Sequence, residues 1–233
     1  MVTIEQKKKL DIDLLIILVI SMLSLGIYII FNSKINGIAY NPNINIVLRV
    51  LFMGGLFQFG LAGLGISVVS IIRKESFFSY GLHRKKLLLT IVLSALCCIP
   101  DFIYNLFAGS VHAWLPFSDV NFTYEVLESS FPLNIIGMLI ISIYWGFFEG
   151  FNYVVIADKI SKRFPSNNKF LDWGAFVCAI MCIIVHGVIG VTPDAIIEML
   201  CTIFLIYGML VVRKNTGNAW GCVLIFFVYW NAL

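Results

Sequence analysis

Residues 14–31 read LLIILVISMLSLGIYIIF, and this stretch decides the fold class. It has 18 residues and no charged side chain, which is long enough to cross the hydrocarbon core of a bilayer as one helix. Lys7, Lys8 and Lys9 precede it, but no small-residue cleavage site follows it. We therefore predict a retained transmembrane helix and not a secretory signal peptide.

The composition of the whole chain also indicates a membrane protein. Of its 233 residues, 60% are hydrophobic and 12% are charged, and the mean hydropathy is +0.95. Soluble domains carry about 45–50% apolar and about 25% charged residues, so the composition excludes a soluble single domain, a disordered chain and a collagen. All six cysteines lie within apolar stretches. We predict buried thiols without a disulfide framework.

Seven apolar stretches predict an all-α fold, a polytopic bundle of transmembrane helices with its N-terminus inside. These stretches are 14–31, 47–72, 87–107, 133–156, 173–191, 195–212 and 219–233. This topology puts 14 of the 16 Lys and Arg residues inside, leaving Lys34 and Arg49 on the outer side, and it satisfies the positive-inside rule. The outer loop 108–132 has three acidic residues and no basic one. Two interpretations are open for it, a lid at the membrane surface or an ordinary loop.

An ionisable residue inside a span is a candidate functional residue, because charge in hydrocarbon is costly. Two such residues have simple structural explanations. Asp101 follows Pro100 and would pair with Arg49 or occupy a hydrated helix kink. Glu198 lies one turn from the outer end of its span, where it can extend to the interface.

Three polar residues on different predicted helices lie at a similar depth. At 1.5 Å per residue, counted from the inner end of each predicted helix (Lys159, Trp173 and Trp220), Glu149 lies about 15 Å, His186 about 20 Å and Asn231 about 17 Å deep. A carboxylate beside an imidazole can activate water by general-base catalysis, and a polar cluster that only holds helices together would have the same pattern. Both interpretations remain open from the residues alone.

No metal or other cofactor is assigned from the sequence. A zinc site needs at least three Cys, His or carboxylate ligands. One histidine with scattered carboxylates provides no evident set, and a divalent metal remains an alternative.

Residues near the glutamate and the histidine predict the wall of a substrate pocket. Trp145, Asn152 and Tyr153 lie at i−4, i+3 and i+4 from Glu149, so on an α-helix they share its face. Cys182 lies one turn before the histidine and is included for the same reason.

The order of these residues resembles the CAAX-protease and bacteriocin-processing (CPBP, or Abi) family of intramembrane proteases. That family has the signatures E-E-x-x-x-R, F-x-x-x-H and H-x-x-x-N on successive helices. The similar stretches here are 147–153 (FFEGFNY), 182–186 (CIIVH) and 227–231 (FVYWN).

Two further stretches extend the resemblance. Residues 213–220 (RKNTGNAW) are similar to the family's R-x-x-T-G-S-x-W turn, and residues 80–86 (YGLHRKK) to its G-L-x-x-K helix start. The resemblance covers a transmembrane core at 78–233. Residues 1–77 then form an N-terminal cytoplasmic segment with the first two transmembrane helices.

The resemblance implies a role for each site residue. Glu149 would be the water-activating base, and His186 and Asn231 would polarise the scissile carbonyl and hold its oxyanion. The second glutamate and the arginine of the first signature are absent. Phe227 stands where the third signature has a histidine, which places it in the expected substrate pocket.

Three functions follow as hypotheses. The first is an intramembrane endopeptidase that cleaves a membrane protein or a hydrophobic peptide in the plasma membrane of a bacterium. The second is a catalytically impaired relative that acts as a peptide-binding, immunity or scaffold protein. A transporter is the third, although the chain lacks the repeated halves expected of one. The partners are the lipid bilayer and the substrate, and nucleic acid is not among them.

Overall fold

The computed structural model describes residues 3–111, 113–187 and 190–232, and in these ranges the regular structure is helical and contains no strand. Five helices are long and apolar enough to cross a membrane. They are α1 (Ile4–Ala39), α2 (Ile46–Arg73), α3 (Leu87–Ala108), α5 (Leu133–Arg163) and α7 (Pro193–Thr216). The shorter helices are α4 (Thr123–Glu128), α6 (Trp173–His186) and α8 (Trp220–Val228), and a 3₁₀ turn covers Phe77–Tyr80. The predicted all-helical class is confirmed.

Side-chain caps and glycines set several helix ends. The Thr3 hydroxyl accepts a hydrogen bond from the backbone N–H of Gln6 at 3.2 Å and starts α1. The backbone N–H of Thr3 in turn donates to Oε1 of the Gln6 side chain at 2.9 Å. Asp172 accepts from the backbone of Ala175 at 2.8 Å and starts α6. Gly187, with φ +68°, ends α6, because glycine adopts this left-handed conformation without steric cost. The helix is therefore shorter than the predicted 173–191, of which residues 188 and 189 lie outside the described ranges.

Helix α5 is the centre of the bundle. Between residues 149 and 160 every side chain except that of Asn152 is buried, because α1, α6 and α8 pack against this part of the helix. Gly150 allows the close contact with α8. A Cβ atom there would lie 3.1 Å from the carbonyl oxygen of Cys222.

Buried ion pairs hold α1, α2 and α5 together at one end of the bundle. Lys159, only 2% exposed, donates to Asp13 at 2.9 Å and to Glu75 at 3.1 Å, and Arg73 donates to Asp13 at 2.7 Å. The Tyr80 hydroxyl donates to Glu75. Burial alone would raise the pKa of Glu75, but the hydrogen bonds from Tyr80 and Lys159 and the lysine charges lower it overall. Both burial and the Glu75 carboxylate raise the pKa of Tyr80.

The turn between α7 and α8 is locked onto the segment that precedes α3. The buried Asn218 amide donates to the carbonyl oxygens of His83 at 2.7 Å and Lys85 at 2.8 Å. The backbone N–H of Ala219 donates to the carbonyl of Gly81 at 2.9 Å. The contact joins residues 80–86 to residues 213–220, the two stretches that extend the resemblance to family motifs.

The connection between α3 and α5 packs on the opposite end of the bundle. We call residues 113–132 the cap segment; it contains α4. The indole nitrogen of Trp114 donates to the carbonyl of Val228 at 2.7 Å, and the backbone N–H of Leu115 donates to that of Ala232 at 3.2 Å. These bonds satisfy one carbonyl group at the C-terminal end of α8 and one in the residues that follow it, which an early helix end would otherwise leave without partners.

One expected ion pair is wrong. Arg49 does not pair with Asp101; it bonds to Glu125 in the cap segment. Asp101 accepts instead from the Tyr229 hydroxyl at 2.6 Å and from the Asn105 amide at 3.0 Å. Arg49 and Asp101 therefore hold separate parts of the same end of the bundle.

Candidate functional site

Glu149 is held by a residue of the second helix. It is 7% exposed, and its Oε2 accepts a hydrogen bond from Nε2 of Gln58 at 2.8 Å. This bond fixes one carboxylate oxygen and leaves Oε1 directed to other neighbours. Gln58 is a single polar side chain among the apolar and glycine residues 50–66.

Gln58 and Glu149 each lie in or directly after a π-helical segment. Gln58 is within the segment Gly54–Gly63 of α2, and Glu149 directly follows the segment Ser142–Phe148 of α5. These segments pack on one another, and a Cβ atom at Gly54 would lie 2.2 Å from the ring of Tyr144. Because π-helical turns are rare and concentrate at functional sites, the pair of segments is consistent with a site at this level.

His186 is the last residue of α6 and faces Oε1 of Glu149. Its Nε2 lies 3.6 Å from Oε1, and its side chain is 34% exposed. The imidazole ring meets the indole of Trp230 edge to face, with centroids 5.3 Å apart. The distance is longer than a hydrogen bond, and it lets both groups contact the same water molecule.

Asn231 follows α8 and completes the group. Its side chain and that of Trp230 approach the Glu149 carboxylate, and its amide makes a long contact of 3.5 Å to the carbonyl of Phe226. The structure therefore brings Glu149, His186 and Asn231 together, as their similar depth predicts. Their catalytic roles stay predictions.

Glu149 and His186 also lie in the wall of an elongated cavity of about 400 Å³ between α1, α2, α5 and α6. Its far end reaches Ile160, 11 residues along α5, which is about 16 Å at 1.5 Å per residue. Most of the lining is hydrocarbon. The apolar lining includes Leu14, Ile17, Leu18, Met22, Phe57, Leu61, Ala62, Ile156, Ile160, Met181 and Val185.

Only some of the predicted pocket residues line this apolar cavity. Asn152 and Tyr153 do, and the Tyr153 ring stacks on that of Phe226 at 5.5 Å. The structure places Trp145, Cys182 and Phe227 outside its wall. Trp145 lies within a π-helical segment, where residues i and i+5 align, so the i−4 offset from Glu149 no longer places it on the same face.

Cys182 and Phe227 have packing positions instead. Cys182 is fully buried between α6 and α5. The Phe227 ring lies against Phe117 of the cap segment, with centroids 5.8 Å apart, and a Cβ atom at Gly146 would lie 2.8 Å from it. A phenyl ring thus fills the space between Gly146 and the cap segment.

A second cavity, of about 440 Å³, lies on the other side of His186. Its lining is polar. The residues that line it are Asp101, Asn105, Asp119, His186, Glu198, Thr202, Tyr229, Trp230 and Asn231. Asp119 belongs to the cap segment, and partial burial raises the pKa of its carboxyl group against the lowering effect of the Ser118 hydroxyl.

Sequence reasoning missed Gln58. The signal was present, because an amide in the middle of a long apolar stretch needs a partner inside the membrane.

Within the described ranges, no group of three or more His, Cys, Asp and Glu side chains is placed to hold a metal ion. The arrangement has a carboxylate, an imidazole and two amides around one point, which suits the activation of a water molecule.

No family model matches the chain, and comparisons with curated proteins and with solved structures give no match. The geometry of the site is therefore the basis for assigning a function. The motif resemblance to the CPBP family stays a hypothesis.

Proposed function

We propose that this protein is an intramembrane endopeptidase of the CPBP type that cleaves a membrane protein or a hydrophobic peptide. One observation supports this proposal above the others. A buried glutamate, fixed by Gln58 at 2.8 Å, lies 3.6 Å from a histidine at the wall of a largely apolar cavity. A general base near an apolar substrate channel is what hydrolysis inside a membrane requires.

The proposed reaction uses both oxygens of the carboxylate. Gln58 holds Oε2, and a water between Oε1 and His186 gives its proton to Glu149 as its oxygen attacks the scissile carbonyl carbon. Amide donors such as Asn231 stabilise the oxyanion that forms. The carbonyl then reforms as the C–N bond breaks, and Glu149 passes the proton to the departing amine.

A second function has one specific observation in its favour. Phe227 puts an apolar ring, packed on Phe117, at the position of a family histidine. A chain that lacks this donor would bind a hydrophobic peptide in the apolar cavity without cleaving it. Such a protein would act in immunity or as a scaffold.

The proposed location is a bacterial plasma membrane, crossed seven times with the N-terminus inside. The five long helices supply five crossings, and α6 and α8, with 14 and 9 residues, supply two more together with the residues that adjoin them. The inside end would be the one with the buried ion pairs around Lys159. Reporter fusions after Lys86, Thr123, Lys169 and Leu233 should read inside, outside, inside and outside, and one reversed reading would contradict this topology.

Glu149→Gln separates the two functions. The change is nearly isosteric and removes the base while an amide remains beside Gln58. In a host that expresses the protein, new N-termini among membrane proteins should be compared between the parent, Glu149→Gln and the control Glu128→Gln, an exposed residue at the end of α4.

A peptidase should lose the parent-specific N-termini in Glu149→Gln, with a fall in rate of about 10²–10⁴-fold, and keep them in Glu128→Gln. Phe227→His should hold or raise the rate. If Glu149→Gln and His186→Ala both keep the cellular phenotype at normal protein levels, the protein does not act by hydrolysis.

A further inference from the structure

Two cavities of opposite character meet at His186. The apolar cavity reaches Glu149 from between α1 and α5, and the polar cavity reaches His186 and Asn231 from beneath the cap segment. His186 is the one residue that lines both among the described residues. The imidazole therefore stands between a hydrocarbon compartment and a hydrophilic one.

We infer that the polar cavity delivers water to Glu149 and releases the hydrophilic product on the cap-segment side. This inference rests on the proposed peptidase function and adds a direction to it. The apolar cavity takes the hydrophobic part of the substrate. Water and substrate then approach the carboxylate from different sides of His186.

The lining of the polar cavity suits a chain of water molecules. Its volume of about 440 Å³ has room for on the order of ten waters at roughly 30 Å³ each. Carboxylates of α3 and α7 and the amides of Asn105 and Asn231 surround this space. A buried water needs two to four polar partners, and every wall of this cavity offers some.

The apolar cavity does not offer the same support. Away from the Glu149 end its polar lining includes Ser21, whose hydroxyl already donates to the carbonyl of Leu61 at 2.7 Å. At the end near Ile160 the neighbouring residue Lys159 is not part of the lining, and its ammonium bonds to the carboxylates of Asp13 and Glu75. Water is therefore poorly stabilised along this path, because an apolar cavity of this kind stays dry.

Cysteine labelling can test the water path without any substrate. Thr202 lines the polar cavity and is 3% exposed, whereas Leu200, two residues earlier on α7, is 56% exposed on the outside of the bundle. Thr202→Cys and Leu200→Cys should be treated in membranes with a charged maleimide that does not cross the bilayer. The parent, with its six native cysteines, provides the baseline.

If side-chain exposure alone set the labelling rate, Leu200→Cys would react faster than Thr202→Cys, and a hydrated polar cavity predicts the opposite order. Because the thiolate is the reactive form and needs water to ionise, Thr202→Cys should react at least about tenfold faster than Leu200→Cys. The reagent should act from the cap-segment side only. Equal rates, or a faster Leu200→Cys, would overturn the inference.

A blocking variant links the path to hydrolysis. Glu198 lines the polar cavity, and the adjacent Ile197, 45% exposed, does not. Glu198→Trp should slow the labelling of Thr202→Cys about tenfold, by excluding water from the thiol, and should reduce the Glu149-dependent cleavage. Ile197→Trp is the matched control and should change neither.

The outcomes separate this inference from the proposed function. Labelling as expected with no cleavage in any variant would reject the peptidase and keep the hydrated path. The opposite outcome is cleavage that depends on Glu149 but is unaffected by Glu198→Trp, together with an unreactive Thr202→Cys. This outcome would keep the peptidase function and reject the hydrated path.

Discussion

Replacement of Lys159 by methionine should destabilise the bundle more than any loss of a surface lysine. Lys159 lies in α5 with its ammonium 2.9 Å from Asp13 and 3.1 Å from Glu75. Methionine keeps the length and apolar stem of the side chain but removes the charge. Asp13, whose side chain is 4% exposed, then keeps Arg73 as its ion-pair partner.

The expected loss is about 3 kcal/mol, the lower end of the range of about 3–5 kcal/mol for breaking a buried ion pair, because Arg73 still neutralises part of the Asp13 charge. The double variant Lys159→Met with Asp13→Leu should be more stable than Lys159→Met alone. It removes one positive and one negative charge together, so the net charge of the cluster is unchanged and no buried Asp13 carboxylate is left with a single cationic partner. Contacting residues of this kind show such coupling.

Unfolding midpoints in one detergent, followed by tryptophan fluorescence, provide the measurement. The matched control is Lys9→Met, because Lys9 also bonds to a carboxylate, Glu5, at 2.8 Å, but both side chains are more than half exposed. Exposed pairs of this kind often contribute nothing measurable. If Lys159→Met and Lys9→Met shift the midpoint equally, or if the added Asp13→Leu lowers it further, the network is not a buried ion-pair network and the reasoning fails.

Three further predictions concern separate parts of the fold. Asn218→Ala should lower the free energy of unfolding by about 2 kcal/mol, because the carbonyls of His83 and Lys85 lose the donor that the buried Asn218 amide provides, whereas Asn215→Ala, at an exposed position, should change the same unfolding midpoint little. Glu75→Gln should lower the free energy of unfolding at neutral pH. Because the pKa of Glu75 is lowered in the folded protein, its stabilising effect is lost on protonation, so the difference in unfolding midpoint between the variant and the parent should vanish below the usual pH range of a glutamate. A difference that is independent of pH would contradict this. Arg49→Gln should speed protease cleavage of the cap segment, because the buried guanidinium bonds to Glu125 of that segment and to the carbonyls of Ala39 and Ile44 at the connection between α1 and α2, whereas Lys34→Gln should leave the cleavage rate unchanged.

Depth along the helices was predictable from the sequence. The rise per residue of an α-helix is nearly constant, so counting from interfacial residues was enough to place Glu149 and His186 at one level. The structure puts them 3.6 Å apart. The all-helical class followed from the length of the apolar stretches for the same reason, since a bilayer sets a minimum length for each span.

The orientation of side chains around each helix was not predictable in the same way. The i−4 rule put Trp145 on the face of Glu149, but the π-helical turns between them change the angular spacing. Gln58 was missed because its importance depends on a partner 91 positions away. The sequence suggested Asp101 as the partner of Arg49. The actual partner is Glu125, because the cap segment folds over Arg49.

Paired π-helical segments also decide where the site tolerates a change in chain length. Each π turn accommodates one residue more than an α turn does. Deleting one residue between 142 and 148 would therefore convert a π turn of α5 into an α turn that covers about the same angle, and residues 133–141 would keep their orientation relative to Glu149. The segment Gly54–Gly63 around Gln58 would absorb a deletion in the same way. Deleting one residue between 150 and 160, where the helix is regular, would instead rotate everything after the deletion by about 100° relative to Glu149. The position of a deletion thus carries information here that residue identity does not.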